Sequence, residues 1–186
     1  SCRWILRWDG DFVMREEGVK FLKELINKLR PDRYYAIYWP HIVLEGDLFH
    51  TPPNPLHKEH WLTTSTPGMR FIRIKGGFEY LYVPTRYAYR IEIETPLSFH
   101  LKVKPKVELL TRKYRWEHYI KNPGIPLEQY VKQRVIEDYG TDNLEEAAEK
   151  YCQELMQKLV PYDKNTFGDY PEILKEHVYR KFGIRL

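Results

Sequence analysis

Four of the seven histidines fall within twenty residues, at His41, His50, His57 and His60, with Glu45 and Asp47 between them. Imidazole nitrogens and carboxylate oxygens are donors that divalent metals use, and a bound metal can activate water for phosphodiester cleavage. If residues 41–47 are extended, side chains alternate, and His41, Glu45 and Asp47 share one face. His100 joins them as the fourth candidate ligand, while His50, His57 or His60 could supply a further ligand or a general acid. The spacing matches no metal signature such as H-E-x-x-H. Histidines beside prolines in a loop are also commonly hydrogen-bonded structural groups or surface residues.

A second pattern is cationic. Residues 70–121 hold 12 Lys+Arg against 5 Asp+Glu, residues 122–186 hold 9 against 12, and residues 1–69 hold nine of each. The net charge of +4 therefore belongs to the middle of the chain. Lys102, Lys104 and Lys106 alternate as if along one strand face, Arg112, Lys113 and Arg115 follow, and Arg86 and Arg90 precede them. Such a row repels itself unless an anion or an acidic neighbour intervenes, so these eight residues are the candidate nucleic-acid contacts. A solvated edge strand guarded by lysines is the alternative.

Two short strings resemble known motifs. Glu45-Gly46-Asp47 with Ser98-Phe99-His100 resembles the acid-x-acid and S-x-H motifs of archaeo-eukaryotic primases, over six residues and with Glu as the first acid. A glycine-rich approach to the His is missing. His118-Tyr119-Ile120-Lys121-Asn122 resembles the tyrosine motif of rolling-circle initiators, without the paired-histidine motif: His41-Ile42-Val43 and His100-Leu101-Lys102 each supply one histidine. Neither resemblance assigns the chain to a family.

The elements that must position these residues follow from periodicity. Residues 3–8 read as a strand, ended by a turn at Asp9-Gly10-Asp11. From Glu16 to Arg30, Val19, Leu22, Leu25, Ile26 and Leu29 recur at helical spacing, with acids in the first turn and bases in the last. Tyr34 to Leu44 reads as a strand that Pro40 marks as an edge or a bulge. Residues 1–45 are thus expected as a β-α-β unit, and 46–69 as a Pro/His-rich loop.

Residues 70–108 read as a four-stranded antiparallel meander turning at Gly76-Gly77, Pro84-Thr85 and Thr95-Pro96. Pairing across those turns puts Phe71, Arg73, Phe78, Tyr80, Tyr82, Tyr87, Tyr89, Ile93, Phe99 and Leu101 on one face. Bases could stack on such rings, but the aliphatics among them favour a core face under the C-terminal helices.

Residues 112–186 read as helical. Pro126 suits a helix start, Gly140 and Gly183 suit helix stops, and Asp142 with Glu145 suits a capping box for a helix reaching Leu159. The expected fold is a single α+β domain with its C-terminal helices packed on the sheet.

Composition excludes several classes. A chain of 186 residues with 42% hydrophobic and 15% aromatic residues can build a core, and no apolar run approaches the length of a membrane span. Cys2 and Cys152 are the only cysteines, which excludes a disulfide framework and makes a reducing, cytoplasmic setting the expectation. Four Gln and five Asn are few beside the Lys, Arg, Glu and 15 Tyr, a thermophile-like balance.

No Gly-rich phosphate loop, dinucleotide fingerprint or nucleophile elbow is present. The leading expectation is a non-enzymatic basic protein that docks on nucleic acid or within a nucleoprotein assembly, with no cofactor. The alternatives are a metal-dependent enzyme acting on phosphodiesters or nucleotides, and a structural subunit that binds other proteins.

Overall fold

The structure, a computed structural model, describes residues 3–73, 79–84, 86–121 and 123–186, with the backbone alone of Glu79 and Tyr80. These residues form, in chain order, β1 (Trp4–Leu6), β2 (Phe12–Met14), α1 (Glu16–Lys28), β3 (Tyr34–Glu45), β4 (His50–Thr51), β5 (Leu56–Thr64), β6 (Arg70–Arg73), β7 (Glu79–Tyr82), β8 (Ala88–Glu92) and β9 (Ser98–Lys102). Then come α2 (Lys106–Lys121), α3 (Leu127–Tyr139), α4 (Leu144–Met156), β10 (Val160–Pro161), α5 (Lys164–Phe167) and α6 (Glu172–Phe182). The architecture is α+β, with a curled, mostly antiparallel sheet. No helix among the described residues is long and apolar enough to cross a membrane.

The main sheet runs β1-β5-β3-β9-β2, with β8 also on β3. Along one side, β3 pairs antiparallel with β5. Along the other it pairs in parallel with β8 over Tyr34–Tyr38 and with β9 over His41–Glu45. A strand residue directs its N–H and C=O to the same side. The Pro40 carbonyl accepts from the Leu97 amide at 3.2 Å, so its missing N–H faces the stretch where β8 hands over to β9. Pro40 therefore costs no ladder bond, and it lies in a central strand rather than an edge.

The expected meander is replaced by a different arrangement. β8 and β9 run end to end along β3 as one interrupted strand, and Thr95-Pro96 is the interruption instead of a hairpin. Ile93 still donates to Tyr38 across this gap, at 2.8 Å. β6 and β7 form a separate antiparallel pair in which Arg73 faces Glu79 and Phe71 faces Leu81, one residue off the expected register. The Gly76-Gly77 turn, Phe78 and Thr85 lie outside the described residues. Tyrosine exposure changes accordingly: Phe71 is 61% and Tyr89 52% exposed, and Tyr82 and Tyr87 also face solvent, while Ile93 and Phe99 are core.

The N-terminal segment also departs from a simple β-α-β unit, because the Asp9–Asp11 turn sends β2 to the far edge, antiparallel to β9. Residues 46–69, expected as a loop, contain β4 and the nine-residue β5. The prolines are confined to the β4–β5 connection and the stretch after β5, where they interrupt no ladder.

Three packing layers follow. On one face of β3, Tyr35, Ile37 and Trp39 pack with Trp61, Leu62 and Leu22, joined by Leu25, Ile26 and Leu29 of α1. On the reverse face, Ile42, Leu44 and Phe99 pack with Tyr162, Tyr170, Leu174 and Val178, which places α6 on the sheet. Helices α2, α3 and α4 have a core of their own around Leu110, Tyr114, Tyr130, Val135, Ala147 and Ala148. Gly140 and Gly183 end α3 and α6 in left-handed conformations, and Pro126 and Pro171 precede their first turns. The α4 cap is Asn143, whose side chain accepts from the Glu146 amide, one residue beyond the expected Asp142 box.

Helix α1 approaches the sheet through Gly18, where an added Cβ would lie 2.7 Å from the Leu97 carbonyl oxygen. Backbone is the obstacle, so relief requires α1 itself to move. Gly18→Ala is expected to destabilise the protein by about 1–3 kcal/mol in urea unfolding, although alanine gains up to about 1 kcal/mol in helix propensity. A neutral or stabilising result would contradict this packing.

Candidate functional site

Along the α1-facing side of β3 the residues change from apolar to polar: Ile37, Trp39, His41, Val43, Glu45. Register brings the matching residues of both neighbours to that face. His41 lies opposite His57 on β5, and Trp39 opposite Glu59. On the other side His41 lies opposite Ser98, Val43 opposite His100 and Glu45 opposite Lys102. β2 adds Phe12 across from His100.

His41 is fully buried and boxed by rings: Phe12 at 5.0 Å, His57 at 5.2 Å, His100 at 5.3 Å and Trp61 at 5.6 Å between centroids. Neither of its nitrogens has a hydrogen-bond partner. Burial first, and then the neighbouring charges of His100, His57, Lys102 and Arg7, push its pKa down to about 3. It is a neutral imidazole with a free lone pair at ordinary pH.

His100 stacks on Phe12 at 4.2 Å, and its Nε2 lies 3.6 Å from an Asp11 oxygen that also faces Lys104 Nζ at 3.4 Å. Burial lowers the His100 pKa to about 4. Asp11 opposes that shift, and Lys102 and Arg112 add to it. Its Nδ1 is buried without a partner. Glu59 divides its oxygens, with Oε2 paired to Arg7 and Oε1 3.3 Å from His57 Nδ1. The ligand atoms of His41, His57 and Glu59 all lie within 4.8 Å of one another.

Of the four residues expected to share a metal, the structure brings His41 and His100 together. Glu45 faces the α2 side, and Asp47 lies beyond the strand end, where its carboxylate takes His50 Nδ1 at 2.8 and 2.9 Å. Gly46, at φ 79°, turns the chain between them, and an added Cβ there would lie 2.8 Å from Met156 Sδ. Glu59 and Asp11 were not among the expected ligands, and His57 was expected only as one of three alternatives for a further ligand or a general acid. The alternation His57-x-Glu59 is the signal that places two of them on one face once residues 56–64 are read as a strand.

Beside this cluster lies a cleft of about 560 Å³ lined by Glu45, Lys102, Leu109, Arg112, Lys113, Arg115, Trp116 and Tyr151. Leu109, Arg112, Lys113 and Trp116 form one helical face of α2 by their spacing. Among the described residues Lys102, Arg112 and Arg115 have no ion pair or hydrogen bond, whereas Lys113 reaches Asp138 at 3.4 Å. The other expected cations are differently placed. Only Lys102 belongs to β9, because Pro105 ends the extended chain and its carbonyl accepts the first bond of α2, from the Leu109 amide. Lys104 is held by Asp11 and Lys106 by Glu149. Arg90 pairs with Glu92 and lies over Tyr38, and Arg86 lies over Tyr87.

Of the His118–Asn122 string, His118 has a structural contact. His118 Nε2 lies 2.8 Å from the Ile125 carbonyl and bridges the α2–α3 connection, and Asn122 is outside the described residues. Cys152 is half-buried on α4 with its thiol pKa raised by burial, and Cys2 is outside the described residues. Comparison of the chain with protein-family models, curated proteins and solved structures finds no match.

His60 shares the neutral state of His41 and His100: burial, then Arg7, lowers its pKa to about 4. In the unfolded chain all three protonate near 6.5, so below that pH the unfolded state binds more protons. Their contribution is complete above pH 6.5 and is lost as pH falls toward about 4. The thermal midpoint is expected to drop between pH 6.5 and 5, above the range where ordinary carboxylates titrate. A flat midpoint across that window would contradict the buried neutral histidines.

Proposed function

We propose that the chain binds single-stranded nucleic acid in the cleft between β9 and α2, through backbone phosphates and one stacked base. The observation that carries this reading is the set of unpaired cations, Lys102, Arg112 and Arg115, around a half-exposed Trp116. Cations that neutralise no protein acid are available to phosphates, and an indole between them gives a base a surface to stack on. The cleft volume suits a nucleotide or two. Its electrostatics also oppose an acidic occupant less than the C-terminal segment would, since residues 122–186 carry more acids than bases.

The reading narrows the contact surface. Lys104, Lys106, Arg86 and Arg90 are engaged with acids or aromatic rings, so they contribute less to phosphate binding than Lys102, Arg112 and Arg115.

A labelled oligothymidylate, followed by fluorescence anisotropy, tests the proposal. Affinity is expected to fall steeply with salt, and Arg112→Glu with Arg115→Glu is expected to weaken binding more than tenfold. The slope of log affinity against log salt should shrink by about 0.7 for each phosphate that the variant no longer neutralises. Lys106→Glu, whose wild-type partner is Glu149, should change affinity several-fold at most. Equal affinities of the doubly substituted and wild-type proteins would overturn the reading.

A further inference from the structure

We propose that His41 of β3 and His57 and Glu59 of β5 bind a divalent transition-metal ion of the zinc class, at a site separate from the nucleic-acid cleft. The three side chains come from a two-strand register that sets His41 opposite His57 and Trp39 opposite Glu59, so all three project from one face. Their ligand atoms already lie within 4.8 Å of one another. The His57 side chain is 65% exposed and can rotate the remaining distance toward bond lengths of about 2 Å.

The decisive residue is His41. A fully buried imidazole with no partner for either nitrogen departs from the rule that buried polar groups are satisfied. Desolvation keeps it neutral, which leaves it in the protonation state that coordinates metal without a proton to displace. Aromatic walls from Phe12 and Trp61 hold the ring in place, as a ligand aimed by packing requires.

The surrounding charges select among metals. Arg7 and Lys102 disfavour any cation here, so Glu59 is the ligand that balances charge. Arg7 takes Oε2 and leaves Oε1 facing His57 Nδ1 at 3.3 Å, so the carboxylate is oriented with one oxygen toward the other two ligands. Two nitrogens and one oxygen favour zinc-class ions over magnesium, which prefers oxygen donors and retained water. Three protein ligands leave a coordination position open to water or to an oxygen of a ligand, the pattern of exchangeable rather than purely structural sites.

The metal-free 186-residue chain, titrated with Zn²⁺ by calorimetry in the absence of nucleic acid, provides the test. Co²⁺ absorption serves as a second readout of inner-sphere nitrogen ligation. One equivalent is expected to bind, with Mg²⁺ failing to compete. His57→Ala and Glu59→Gln, both at partly exposed positions, should weaken Zn²⁺ binding at least tenfold. His50→Ala and His118→Ala should leave it unchanged. Absence of saturable Zn²⁺ and Co²⁺ binding, or equal affinity in His57→Ala and wild type, would overturn the site and leave the nucleic-acid reading standing.

Discussion

The hydrogen-bond ladders on the two sides of β3 are the constraint from which the rest of the structure follows. One side is occupied by β5 and the other first by β8 and then by β9. The handover occurs at Pro40, the one position of the strand that has no donor to give. A strand of twelve residues with partners on both sides is buried on both faces, so each face needs its own cover. Helix α1 covers the first part of one face. On the reverse, Leu81 and Val83 pack on Ala36, and α6 packs on Ile42 and Leu44.

The site is where that cover ends. Past Trp39 the α1-facing residues become His41 and then Glu45, and packing passes from helix-on-sheet to rings around a histidine. Burial of imidazole among Phe12 and Trp61 keeps His41 and His100 neutral while Lys102, Arg112 and Arg7 stand nearby. These cations reinforce the neutral state of the histidines, because each positive charge makes protonation of the rings less favourable. The α2–α4 bundle, with a core separate from the sheet, then sets a cationic helical face beside the same strand ends.

Much of the helical structure was legible. Helix α1 was visible from its 3.6-residue spacing, and α3 and α6 from proline before and glycine after them, since these signals act within a turn or two of chain. The α4 cap slipped by one residue because Asp142 and Asn143 are both competent caps, and only the path of the chain selects one. The sheet was less legible. Gly, Pro and Thr pairs mark places where a strand must pause, but a pause at Thr95-Pro96 serves equally for a hairpin and for an interruption between two collinear strands. The dense prolines of 46–69 concealed β5, although His57 to Thr64 contain the alternation of a strand. Of the candidate site, His41, His100, Lys102 and the α2 cations could be named from residue type. Glu59 and Asp11 could not be joined to them, nor His57 singled out from His50 and His60, without register.

By itself the sequence determined the α+β class, the glycine stops of α3 and α6, the location of the positive charge and the stretch rich in histidine, because each depends on residue type or on neighbours a few residues apart. Only the tertiary structure decided which cations are already engaged by acids and which carboxylate faces His41. It also decided that Tyr82 and Tyr89 lie at the surface. Those outcomes depend on strand partners that are distant along the chain. A one-residue change of register moves a side chain to the opposite face, and nothing local in the sequence encodes it.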